Sequence, residues 1–206
     1  MDPTTFTFPE SAFPPLAVGF FGLGTGYLIY GPQELLGIPK ASRAVNLATG
    51  LWGIWMPGFM QFLVGVYLFA GLVWFHSITA APLFMAALAF TAYGVHWFAL
   101  AGGRALGGDP RPNGFMSIAF ILISVLGIVV FVVPASRDIP VALLFVGLTA
   151  VYVADFFASL FAVNGNPLGV AGNRALGFFH IVTGLWLMYL TWAVALNFAS
   201  GFKLWV

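Results

Sequence analysis

The chain of 206 residues is 61% hydrophobic and 6% charged, with a formal net charge of +1 and a mean hydropathy of +1.01. A water-soluble domain carries roughly 25% charged residues, so this composition excludes a surface built for water, and the near-zero charge excludes a basic face for nucleic acid. The absence of cysteine excludes disulfide and thiolate–metal chemistry as well.

Residues 1–14 form an N-terminal tail that carries Asp2 and Glu10 and no positive n-region, so the first helix is expected to be retained rather than cleaved. Pro14 and Pro15 suit a helix start, where a missing N–H costs little. Apolar segments follow at roughly 15–31, 45–75, 80–101, 115–134, 140–163 and 175–199. Each is long enough to cross about 30 Å of hydrocarbon at 1.5 Å per residue. The predicted fold is all-α: a six-helix transmembrane domain over 15–199, closed by a C-terminal tail at 200–206.

In the first segment, Gly22-Leu-Gly-Thr-Gly26 removes side chains from one face and predicts a close helix crossing. The second segment is too long for one straight span, and Pro57-Gly58 lies midway along it. A proline there predicts a kink, and Gln61 sits one turn on, near any carbonyl the kink releases. The connections are expected to hold nearly all the charge: Glu34, Lys40 and Arg43, then Arg104, Asp109 and Arg111, then Arg137 and Asp138, then Arg174. Five of the cations, Lys40, Arg43, Arg104, Arg111 and Arg174, fall on one side, against Arg137 and Lys203 on the other. The positive-inside rule then places both termini outside.

Few polar groups interrupt the spans. Asp155 is the only acid well inside one, and an ionised carboxylate at mid-bilayer costs at least ~3 kcal/mol. It is read either as a proton- or solute-coupling group or as a carboxyl hydrogen-bonded between helices, to His96, His180 or a tyrosine. His96 and His180, on different helices, could ligate a haem, but no third ligand or spacing signature accompanies them. Interhelical hydrogen bonding is the plainer role. Phe90, Tyr93 and Trp97 share a face of the third helix. The chain carries no Walker A, HExxH or nucleophile-elbow motif and no lysine within a span, so neither enzyme chemistry nor a Schiff-base pigment is expected. No cofactor and no metal site are expected.

Gly58-Phe-Met-Gln61-Phe-Leu-Val-Gly65, followed by Ala89-Phe-Thr-Ala-Tyr93-Gly94-Val-His96-Trp97, resembles the acetate uptake transporter family. Pro15-Leu16 with Phe21-Gly22 and Tyr189-Leu with Leu196-Asn197 are similar to that family's first and last helices, and Gly147-Leu148-Thr149 more faintly to its fifth. The chain departs from the pattern where Ala12 and Phe13 stand in place of the family's asparagine and first proline, where Leu68 stands in place of a glutamate, and where His96 replaces an aromatic; Asp155 has no expected counterpart. The resemblance implies a ring-shaped homo-oligomer, a hexamer, in the cell membrane, with one pore per protomer. It also implies an apolar constriction at Phe21, Tyr93 and Leu148, and a small monocarboxylate such as acetate as the solute. Thr25, Gln61, His96, Trp97 and Asp155 are the candidates for the solute path or for proton coupling.

A second stretch, Leu36-Gly-Ile-Pro-Lys40-Ala-Ser-Arg43-Ala-Val-Asn46-Leu-Ala-Thr-Gly50, resembles the first loop of the amide and urea channel family. That family implies the same architecture and a neutral solute. A haem-binding membrane subunit, held by His96 and His180, is the third reading.

Overall fold

The structure is a computed structural model, and it describes residues 15–163 and 165–206. The tail at 1–14 and the helix start at Pro14 lie outside the described residues. Six helices follow in order: α1 (Leu16–Leu36), α2 (Arg43–Trp74), α3 (Leu83–Leu106), α4 (Arg111–Val132), α5 (Ile139–Leu160) and α6 (Pro167–Ser200). No strand occurs among the described residues. Helices α2 to α6 are long and apolar enough to cross a membrane. Helix α1 has 21 residues, a length of about 32 Å, but its glycines and its Gln33-Glu34 end make it less apolar. The chain is a multi-pass membrane protein.

The helices outrun their apolar segments. Glu34, Arg43, Arg104, Arg111 and Arg174 lie on helix ends and not in connections as the sequence suggests. Hydropathy marks the hydrocarbon layer, whereas the backbone ladder continues until a cap stops it. Ser42, Asp138 and Asn166 supply those caps at the starts of α2, α5 and α6, accepting hydrogen bonds from the N–H groups of Val45, Val141 and Leu168. Gly37, Gly107 and Gly201 end α1, α3 and α6 in the left-handed conformation.

Pro57 does not break α2. The ladder widens to a π-helix over Ile54–Met60, and Gln61 Nε2 donates to the Pro57 carbonyl at 2.9 Å. This widened turn packs against α1. A Cβ on Gly22 would stand 2.6 Å from the Met56 carbonyl, and one on Gly26 would stand 2.6 Å from Pro57 Cγ. The paired glycines therefore serve a backbone-to-backbone crossing. The same closeness recurs between α2 and α3, where a Cβ on Gly94 would lie 2.5 Å from the Phe62 nitrogen.

Helix α1 also packs along α6, α6 on α5, and α5 on α4. The core runs through the centre of this ring of helices and is closed by Phe20, Leu23, Phe90, Leu148 and Leu187. Residues 201–206 fold back on α6: Asn197 exchanges two 2.8 Å hydrogen bonds with Leu204, and Tyr189 donates to the Trp205 carbonyl at 2.8 Å.

Candidate functional site

A cavity of about 480 Å³ enters the bundle from the end where the connections α1–α2, α3–α4 and α5–α6 lie. Its walls come from all six helices, because α1, α3, α5 and α6 each present a polar residue one or two turns inside that end, and Asn46 and Asn113 bring the starts of α2 and α4 to its edge. Three polar groupings occupy it.

The first lies at the mouth. Glu34 on α1 accepts from His180 Nδ1 on α6 at 2.6 Å, and its other oxygen stands 3.9 Å from the Arg104 guanidinium on α3. Arg104 also donates to Gln33 Oε1 and lies over the Tyr30 ring, 4.2 Å from its centroid. Tyr27 lies against His180, with ring centroids 4.4 Å apart and the rings tilted by 33°. A buried carboxylate is tolerable only when its oxygens are occupied, and two helices supply the donors here.

The second surrounds Asp155, which is 5% exposed. Ser117 on α4 donates to Oδ2 at 2.7 Å, and Ser159, one turn along α5, donates to Oδ1 at 2.6 Å. The partners are serines, not the histidines or tyrosine that the sequence offered. Ser117 Oγ also lies 2.9 Å from the Asn113 carbonyl. A hydroxyl has one hydrogen for two acceptors. It donates to an ionised Asp155, or else it returns to the Asn113 carbonyl and accepts from a protonated one. The geometry serves both protonation states.

The third lies deeper in the cavity. His96 on α3 faces Tyr152 on α5, whose hydroxyl lies 3.3 Å from His96 Nδ1, while Trp97 packs on the α1 side against Tyr30, with ring centroids 5.1 Å apart. Among the described residues, His96 Nε2 and Trp97 Nε1 are buried without a hydrogen-bond partner. An unpaired buried group of this kind costs about 1–3 kcal/mol.

Beyond this grouping the bundle is closed by rings. Tyr93 stacks on Tyr152 with centroids 5.7 Å apart, lies 5.4 Å from Phe120, and bonds Ser124 Oγ at 2.9 Å. Leu148, one turn before Tyr152 on α5, is 2% exposed. Phe20 and Phe90 close the layer, with centroids 5.7 Å apart.

Of the sequence candidates, the structure brings Asp155, His96 and Trp97 to the cavity, and sets Tyr93 and Leu148 in the packed layer behind it. Phe21 does not join them. It is 43% exposed on the outer side of α1, while Phe20 points inward at 4%. Neighbouring residues on a helix differ by about 100° in direction, so a match one residue out reverses the face. Gln61 is buried against its own helix and does not line the cavity, and Thr25 is only half-buried and lies away from it. Sequence reasoning missed Glu34, Arg104, Ser117 and Ser159. The signal for the first was a glutamate one turn after Tyr30, still within helical register of the buried face.

No family model matches the chain, and no curated protein matches it. Among solved structures, the fold is similar to that of the bacterial acetate channel SatP, with a TM-score of 0.67 and 17% sequence identity over 93% of this chain and 96% of that one. The chain has that channel's fold.

Proposed function

We propose that the chain is a channel or proton-coupled permease for a small monocarboxylate such as acetate, in the cell membrane, assembled as a ring of six with one path in each protomer. One observation carries the reading: a cavity of about 480 Å³, with Glu34, Asp155 and His180 in its walls, ends on a layer of buried rings and leucine in the middle of the bundle. The likeness of fold to an acetate channel supports it.

The chemistry of such a path follows from its two halves. The cavity is wide enough for a hydrated solute of a few heavy atoms. The layer of Phe20, Phe90, Tyr93 and Leu148 offers an ion nothing in place of its water, which makes a dewetting barrier. A methyl group crosses that layer at little cost. A short carboxylic acid has an ordinary pKa of roughly 4, so at pH 7 about one molecule in 10³ is neutral. Transport of the neutral form accelerates in acid, and Asp155 with its two serines is the group placed to hand over the proton.

The test is flux into proteoliposomes of the purified chain. Saturable uptake of labelled acetate, faster at pH 5 than at pH 7, with chloride and potassium excluded, is expected. Acetate entry no faster than into protein-free vesicles at both pH values defeats the proposal.

A further inference from the structure

We infer that Arg104 and His180 form a carboxylate site at the mouth of the cavity, and that Glu34 is a resident carboxylate which the solute displaces from it. The inference rests on the transport reading above and adds where the solute is first held, and in which form. Three helices meet here. His180 Nδ1 from α6 donates to one oxygen of Glu34 at 2.6 Å, and Arg104 Nη1 from α3 stands 3.9 Å from the other. The first contact is a short hydrogen bond to a charged acceptor, and the second is too long to be a hydrogen bond. Arg104 donates from Nη2 to Gln33 Oε1 and lies over the Tyr30 ring. Among the described residues its Nη1 makes no hydrogen bond, although 21% of the side chain is accessible. An arginine fork with one arm left over suits a second carboxylate.

The group already held there shows what fits. A glutamate side chain ends in a methylene and a carboxylate, the same heavy atoms as acetate. The backbone of Glu34 is anchored separately, because Asn173 on α6 donates to its carbonyl at 3.0 Å. The helices therefore stay joined when the carboxylate lets go. Glu34 also lines a second cavity of about 530 Å³, between the end of α1, the end of α5 and the start of α6. Arg174 stands in that wall and makes no ion pair among the described residues, so the displaced side chain has both room and a cation to turn toward. The solute's carboxylate takes the donors, and Tyr27 and Tyr30, whose rings lie against His180 and Arg104, supply apolar surface for its methyl group. A neutral amide brings no charge to Arg104 and does not displace Glu34. When Glu34 returns to its donors it releases the solute toward Asp155, so one residue sets both affinity and turnover.

Unfolding of the full chain in detergent at pH 7, where nearly all acetate is the anion, tests the site without reference to transport. Glu34→Ala removes the resident carboxylate, and acetate is expected to raise its unfolding temperature by about 3 °C, saturably. Chloride or acetamide at equal concentration is expected to do nothing. Combining Glu34→Ala with Arg104→Gln is expected to abolish the response. Glu34→Gln keeps the shape without the charge and covers the case in which the alanine variant does not fold. The acetate concentration giving half of its thermal shift is expected to lie about tenfold below that of the natural chain, the worth of one hydrogen bond to a charged group. No acetate response in either variant, or acetamide doing as well as acetate, overturns the site. Flux in proteoliposomes separates the two proposals. Acetate-specific stabilisation in a chain that carries no acetate would defeat the transport reading and keep the site. Acetate flux with the same half-saturation in Glu34→Gln and the natural chain would do the reverse.

Discussion

The two ends of the bundle are built from different chemistry. At the cavity end, Glu34, His96, Asp155, Ser159 and His180 lie within the outline of the six helices, each within reach of at least one polar neighbour. At the other end the interior is Phe20, Phe90, Phe131, Phe145 and Leu187, with ring contacts such as Phe131 on Phe145 at 5.7 Å. Lipid gives helices no hydrophobic reason to associate. The dry end is therefore held by close packing and the wet end by directed hydrogen bonds. A single loss should then be felt differently at each end.

The largest effect is expected at the mouth. Glu34→Ala leaves His180 and Arg104 with no carboxylate between them. Breaking a fully buried pair costs about 3–5 kcal/mol. Arg104, at 21% side-chain exposure, recovers some hydration, so a destabilisation of about 3 kcal/mol is expected. Unfolding in detergent measures it, and a change no larger than that of an exposed lipid-facing substitution would show that the network is ornamental. Next comes Phe20→Ala, at about 2 kcal/mol, below the usual 3–5 for a core phenylalanine because only the cavity and contact part of the loss survives in lipid. It is also expected to admit chloride into proteoliposomes. Phe21→Ala is the paired control, and it is expected to alter neither ion exclusion nor stability in the isolated protomer. Equal leakage in both variants would place the constriction at an interface between subunits.

This pair of phenylalanines also marks what the sequence could and could not convey. Span count and approximate limits were legible because hydropathy is a local sum. Asp155 and His96 were legible because polar atoms are rare in apolar runs, and Trp97 through the resemblance alone. Glu34 and Arg104 were not, because each lies at the edge of its span and reads as an interfacial charge until three helix ends are brought together. Ser117 and Ser159 were silent for another reason: a helical serine ordinarily bonds its own backbone, as Ser124 does with the Phe120 carbonyl. Nothing local separates those two from the rest. Phe21 was chosen by resemblance rather than by helical face, and the glycine face of α1, read as a face, would have pointed to Phe20.

A smaller effect is expected at Asp155. Asp155→Asn keeps a side-chain oxygen and a donor for the two serines, so stability should change by no more than about 1 kcal/mol. The change should fall on the pH profile. Acetate flux divided by the concentration of neutral acid should vary with pH in the natural chain, because a second proton site acts in series with the solute's own. In the variant that ratio should be flat. Identical profiles would make Asp155 a structural link between α4 and α5.

The smallest effect is expected outside the bundle, at Asp109 in the α3–α4 connection. Arg111 holds it with hydrogen bonds as short as 2.5 Å, from the guanidinium and the backbone N–H, and these lower the carboxyl from 3.8 to about 2. A depressed carboxyl stabilises the fold above its unfolded value and stops doing so as pH falls through the folded one. The window therefore lies between about pH 4 and pH 2. Both partners are exposed, at 57% and 48%, and water screens most of what the contact could contribute. Asp109→Asn should leave the melting temperature at pH 7 within the scatter of replicates. It should also leave acetate flux unchanged, although Asp109 stands at the rim of the cavity. A fall in flux comparable to that of the Glu34 variant would extend the working part of the cavity outward to its rim, and the wet end would then include the connection as well as the helices.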